Sequence, residues 1–191
     1  MSISTVRLVP APPVDLGAIE AAFISLGLNK HVAGADERSE DVIWLTEDAE
    51  TAANWITDEL LDVTYIAVHG IDAASLATRI QSRIQTDGIP QLHARAIEDR
   101  DTDVLIDTLY RTAVVAYSGY DPQAFSLLRW GLNDPDPLIR RVSLLAVSIT
   151  GWERFIPILN EISEQDPVSE VRDQAARVRD ALKARAEESP A

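Results

Sequence analysis

The feature that most constrains this chain is a threefold echo in its second half. Ile89-Pro90-Gln91-Leu92 leads to Asp99, Ala124-Phe125-Ser126-Leu127 to Asp134, and Ile156-Pro157-Ile158-Leu159 to Asp166. Leu92, Leu127 and Leu159 form one column; Ile89, Ala124 and Ile156 form another. Downstream of each Asp, a β-branched residue at a fixed offset (Val104, Ile139 or Val171) lies near the start of a second apolar stripe at helical spacing. In the last two units an arginine follows it, Arg140 and Arg172. Self-similarity of this kind marks stacked helical hairpins, because a single hairpin carries more apolar face than it can bury alone. The expectation is an all-α domain over 89–191 made of three hairpins, 89–121, 122–152 and 153–188.

The turns support that reading chemically. Asp-Pro steps at Asp121-Pro122, Asp136-Pro137 and Asp166-Pro167 suit helix starts, since the carboxylate takes orphan N–H groups while proline fits the first helical position. In the third, Ser169 competes as the cap. The final helical stretch carries Arg172, Arg177, Arg179, Lys183 and Arg185, the polar outer face expected at the end of a stack. The segment Asn133-Asp134-Pro135-Asp136-Pro137-Leu138-Ile139-Arg140-Arg141 resembles the HEAT-repeat signature, a D-P-D-P-x-V-R turn between antiparallel helices. Ser163-Glu164-Gln165-Asp166-Pro167-Val168-Ser169-Glu170-Val171-Arg172 is similar to a second copy, and Glu98 to Val104 to a degenerate third in which Leu105 replaces the arginine. The resemblance covers the C-terminal half. It implies a HEAT-like solenoid that works as a protein-interaction scaffold, in bacteria often an adaptor, an assembly factor or an immunity protein. Related DNA glycosylases need a basic groove, which the charge of this chain opposes.

The first 88 residues read differently. Thr5 to Val9, Asp41 to Leu45 and Val63 to Val68 are β-prone runs. Between and after them, helical spacing recurs in Leu16, Ile19, Phe23 and Leu26, in Ala52, Trp55, Ile56 and Leu60, and in Leu76, Ile80 and Ile84. Asp15, Thr46 or Asp48, and Asp72 are the candidate N-caps. Asn29 to Glu40 reads as a polar loop and Ser189-Pro190-Ala191 as a frayed tail. The expectation is a three-stranded α/β domain of β-α-β-α-β-α order, with parallel crossovers or with an α+β arrangement containing an antiparallel pair.

Charge narrows the choice of partner. The formal net charge is −14, and the only lysines are Lys30 and Lys183. Binding to nucleic acid or to an anionic membrane draws on clustered Lys and Arg, so neither is expected, and a basic protein partner is favoured. No apolar run is long enough to span a bilayer, and the proline-broken N-terminus lacks the pattern of a secretory signal. With no cysteine, a soluble, cytoplasmic, bacterial-type protein is the expectation.

Nothing in the sequence calls for a cofactor or a metal. Asp99, Asp101 and Asp103 fail the calcium-loop pattern, which needs glycine and glutamate where Val104 and Tyr110 stand. The candidate partner contacts are Asp101, Asp103, Tyr120, Asp136, Arg141 and Trp152, exposed carboxylates and anchors of the kind that dominate interfaces. Tyr120 and Trp152 are equally compatible with packing between repeats. The alternative is a ligand-binding regulator or enzyme with Asp48 and His69, near Pro10, at the carboxyl ends of parallel strands. A third possibility is a homodimer formed through the edge of the sheet. The favoured reading is a non-enzymatic binding protein.

Overall fold

The structure, a computed structural model, describes residues 3–33 and 41–188. The tail at 189–191 and residues 34–40 of the expected polar loop lie outside the described residues. The chain divides into two compact units, Met1–Asp87 and Gly88–Ala191.

The first unit is one antiparallel sheet with helices against it, and it corrects the expected three strands to six. Its elements are β1 (Ser4–Pro10), α1 (Leu16–Ser25), β2 (Asn29–Ala33), β3 (Asp41–Leu45), β4 (Thr51–Asp58), β5 (Val63–Gly70), α2 (Ala73–Gln81) and the two-residue β6 (Thr86–Asp87). The sheet order is β2-β3-β4-β5-β1-β6, and every pair is antiparallel. The β-α-β-α-β-α order with parallel crossovers is therefore replaced by β-α-β-β-β-β-α-β.

The expected second helix is β4. Ala52, Trp55 and Ile56 satisfy a helical period, but Thr51, Ala53 and Trp55 also alternate. Pairing with β3 on one side and β5 on the other overrides the local helix preference of the two alanines. Trp55 and Ala53 face Ile66 and Val68 across the pair. Both belong to a core shared with Leu8, Trp44, Phe23 of α1, and Leu76 and Ile80 of α2. Phe23, Trp44 and Trp55 form an aromatic triangle with centroids 5.6–6.5 Å apart. Burying side chains of this size contributes about 2–3 kcal/mol each.

Thr46 and Asp48 do cap, but they cap a hairpin turn. Asp48 Oδ1 accepts from the Glu50 N–H (3.1 Å) and from Thr46 Oγ1 (2.6 Å), while Ala49 takes a positive φ of 58°. The same side-chain acceptor that starts a helix closes an Asx turn. The first residues of the expected polar loop, Asn29–Ala33, form the edge strand β2 instead, with the polar Asn29, Lys30 and His31 leading it. Asp15 caps α1 through the Ala18 N–H. Asp72 precedes α2 without a side-chain capping bond.

The second unit is helical throughout. Its helices are α3 (Ile89–Glu98), α4 (Thr102–Val115), α5 (Pro122–Leu132), α6 (Pro137–Thr150), α7 (Ile156–Gln165) and α8 (Ser169–Glu188), with short 3-10 turns at Ala116–Ser118 and Glu153–Phe155. α3 packs on α4, α5 on α6 and α7 on α8, while α4, α6 and α8 pack in succession. Leu92, Leu109, Leu128, Leu132, Ile139, Phe155, Leu159 and Val171 are fully buried, and they include two of the leucines aligned by the repeat. α5 comes close to its neighbours at Gly131, where an added Cβ would run into Ser143 Oγ and lie 3.1 Å from Leu109 Cδ2. Asp166 accepts from the Val168 N–H, and α8 begins at Ser169, so Ser169 is its first residue and not its cap.

Candidate partner-binding surface

The loops of the helical unit gather at two ends, separated by α4 and α6, each about 21 Å long at 1.5 Å per residue. One end holds the turns within each hairpin. Asp101 Oδ1 caps α4 by accepting from the Asp103 and Val104 N–H groups, and Asp136 Oδ1 caps α6 through the Leu138 N–H. Asp99 accepts in turn from the Asp101 N–H, so these aspartates serve the backbone of the turn. Asp101 and Asp103 are exposed and Asp136 is half-buried. Arg141 is exposed on α6 and reaches α8, where Gln174 Nε2 donates to its carbonyl at 2.9 Å.

Beneath these turns runs an ionic brace. Arg140 donates to both carboxylate oxygens of Asp166 (2.7 and 2.9 Å) and to the carbonyls of Asp134 and Pro135 (2.9 and 3.1 Å). Arg172 repeats the theme one hairpin later, with Nη1 on the Asp166 carbonyl at 2.7 Å. Burial works to raise the Asp166 carboxyl. It is outweighed by the Arg140 hydrogen bonds, the Val168 N–H and the charges of Arg140 and Arg172, which together hold it below the usual carboxylate range. In the first hairpin Leu105 stands where that arginine would be. Asp134 is met instead by Arg100, from before the α4 cap, at a looser 3.9 Å. The guanidinium of Arg100 also lies 4.1 Å above the Trp130 ring. Sequence reasoning missed Arg100, because it precedes the turn at a position the repeat does not mark.

The other end holds the turns between hairpins, and it is aromatic. Tyr120 meets Trp152 edge-on at 5.1 Å and Phe125 at 5.9 Å, while Phe125 lies 4.5 Å from Phe155. Trp152 is half-buried, stacks with Phe155, and packs with Ile89, Ala116 and Ala124. Tyr120 is 46% exposed, under Arg154 at 4.5 Å. Arg154 was also missed; its place two residues after Trp152 was the signal available. The six expected contact residues thus fall into two groups at opposite ends of the hairpins: Asp101, Asp103, Asp136 and Arg141 at one, Tyr120 and Trp152 at the other.

In the first unit a cleft of about 530 Å³ is lined by residues that include Thr46, Glu47, Asp48, Asp72, Ser75 and Arg79. Thr46 and the Glu50 N–H hold the Asp48 carboxyl below its ordinary value. His69 and Pro10 do not line this cleft. His69 lies within β5 opposite Thr5 and Ala52, and its Nδ1 is 2.9 Å from Thr5 Oγ1. The parallel strand ends that would have grouped these residues do not form in an antiparallel sheet.

Residues 89–178, in the helical C-terminal half, match the family model for HEAT repeats, and the N-terminal half has no family match. Repeats of this kind are commonly scaffolds for protein interaction. No curated protein and no solved structure matches the chain. Among the described residues no helix is long and apolar enough to cross a membrane.

Proposed function

We infer that the protein is a non-enzymatic adaptor or regulatory protein of the immunity type, in which a HEAT-repeat solenoid presents an acidic surface to a basic protein partner. The carrying observation is the HEAT-repeat match over 89–178, in a chain of net charge −14. The exposure of Asp101 and Asp103 and the half-buried Asp136 support that reading. Such a surface steers a basic partner and sets its orientation. The test is capture of partners by the tagged full chain at low and at high salt, alongside an Asp101→Asn/Asp103→Lys variant that keeps a capping residue at position 101. A basic protein retained at low salt, and lost with high salt or with the variant, is the expected result. Retention indifferent to both would sink the proposal.

A second reading rests on the cleft beside Asp48, whose size suits a small ligand. It makes the first unit a ligand-binding regulator, without His69 at the site. A thermal-shift screen in which Asp48→Asn abolishes a ligand-induced rise would support it. Homodimerisation through the edge strand β2 is tested by light scattering.

A further inference from the structure

We propose that the cleft between α5 and α7 receives an arginine side chain of the partner protein, with its guanidinium on the carboxylates of Asp134 and Glu161 and its stem against Ile158 and Ile162. The proposal rests on the basic-partner reading and gives that partner a point of entry. The cleft lies within the helical unit, encloses about 410 Å³, and is lined by those four residues together with Arg140 and Asp166, among others. That volume falls in the roughly 300–1,000 Å³ range of small-ligand pockets and is ample for one side chain.

Two equivalent turns show what Asp134 lacks. Each turn aspartate receives a guanidinium at its backbone carbonyl, Asp134 from Arg140 at 2.9 Å and Asp166 from Arg172 at 2.7 Å. Their carboxylates differ. Asp166 takes two charged bonds from Arg140. The Asp134 side chain is only 7% exposed, and its Oδ1 accepts from the Asp136 N–H at 2.9 Å. Among the described residues, Oδ2 meets only Arg100, at 3.9 Å, which is beyond hydrogen-bonding distance. Arg100 is itself held over the Trp130 ring and is 55% exposed to water. A carboxylate this deeply placed, with one oxygen free of hydrogen bonds, has a desolvation cost that a charge-assisted donor offsets.

The charge of the lining selects the same occupant. Arg140 and Asp166 neutralise each other, and Asp134 and Glu161 remain, both acidic. Glu161 is exposed on α7, three residues after Ile158 and next to Ile162, so carboxylate and aliphatic groups share one helix face. A planar guanidinium has five donors and serves two carboxylates at once, which the compact charge of a lysine does less well.

The test is an NMR titration of the isotopically labelled full chain with N-acetylarginine amide. N-acetylcitrulline amide, its neutral isostere, and N-acetyllysine amide serve as comparisons. The arginine derivative is expected to shift the amides of 133–136 and 158–166, and both comparisons to shift them less. At a fixed concentration well below saturation, those shifts should fall about tenfold in Asp134→Asn and about threefold in Glu161→Gln. Asparagine keeps an oxygen for the Asp136 N–H and Glu161 is exposed, so both variants test the cleft with the fold intact, as circular dichroism will confirm. No shift in the cleft, shifts confined to 99–104, an equal response to either comparison, or cleft shifts unmoved by both variants overturns the proposal. Each of those outcomes leaves the acidic-surface reading standing, because that reading is decided by salt-dependent capture and by the Asp101→Asn/Asp103→Lys variant.

Discussion

Replacing Arg140 with methionine should be among the most damaging single changes in the helical unit, and its cost should depend on pH. Arg140 ties the second hairpin to the third through two charged bonds to Asp166, and also holds the Asp134 and Pro135 carbonyls of its own turn. Its side chain is 10% exposed and that of Asp166 is 5% exposed. Methionine fills much of the volume but leaves the Asp166 carboxylate in low dielectric without its main partner. Removal of one member of a buried pair costs about 3–5 kcal/mol. The Val168 N–H and the charge of Arg172 remain, which places the loss near the lower figure, about 3 kcal/mol, or a fall in Tm on the order of 10 °C.

The pH dependence follows from the lowered pKa of Asp166. A carboxyl depressed in the folded state contributes stability above its unfolded pKa of about 3.9, and that contribution fades as pH falls through the folded value. The gap between variant and wild type should therefore be widest near neutrality and close below about pH 4. Urea titrations at several pH values, with hydrogen exchange over α6 to α8 to locate the loosening, measure both. The double variant Arg140→Met/Asp166→Leu should recover part of the loss, since no buried charge is then stranded. A loss under about 1 kcal/mol at neutral pH, or one that does not change with pH, would refute the reasoning.

Substitutions at four further positions have defined outcomes. Gly70→Ala should destabilise the first unit by about 2 kcal/mol or more in urea titration, because position 70 has φ 133° and a Cβ there would run into the Glu50 carbonyl oxygen. Asp101→Ala should cost about 1 kcal/mol by loss of a cap, and Asp101→Asn only a fraction of that, read by the same titration. Trp152→Ala should cost about 3 kcal/mol by emptying a packed site. Tyr120→Ala, at a half-exposed position, should cost under about 1 kcal/mol, and a large loss of stability there would mean that Tyr120 is core and not surface.

The legibility of the sequence differed between its halves for a physical reason. In the C-terminal half each hairpin meets copies of itself, so the rule that packs one hairpin is written again in the next. The Leu92, Leu127 and Leu159 column and the Asp caps show it, and the family match falls on that stretch. In the N-terminal half no segment repeats, and strand or helix was decided by partners distant in the chain. Ala52 to Leu60 satisfied both periods, and only pairing with β3 and β5 made it a strand. In Asn29 to Ala33 the apolar residues are Val32 and Ala33, adjacent and not alternating, and as an edge strand the segment pairs on one side only. The site was legible to a lesser degree. Single aspartates and aromatics could be picked out, but not their division between two ends of the hairpins, nor Arg100, whose contacts with Trp130 and Asp134 cross from one hairpin to the next.

The substitution of Arg100 for the missing arginine at position 105 makes the row of hairpins a chain with unequal joints. The second and third are riveted by two short charged bonds, whereas the first is held to the second, at this layer, by one long contact from an exposed side chain. At this layer the second joint therefore answers to the protonation of Asp166, while the first rests on the packing of α4 against α5 and α6.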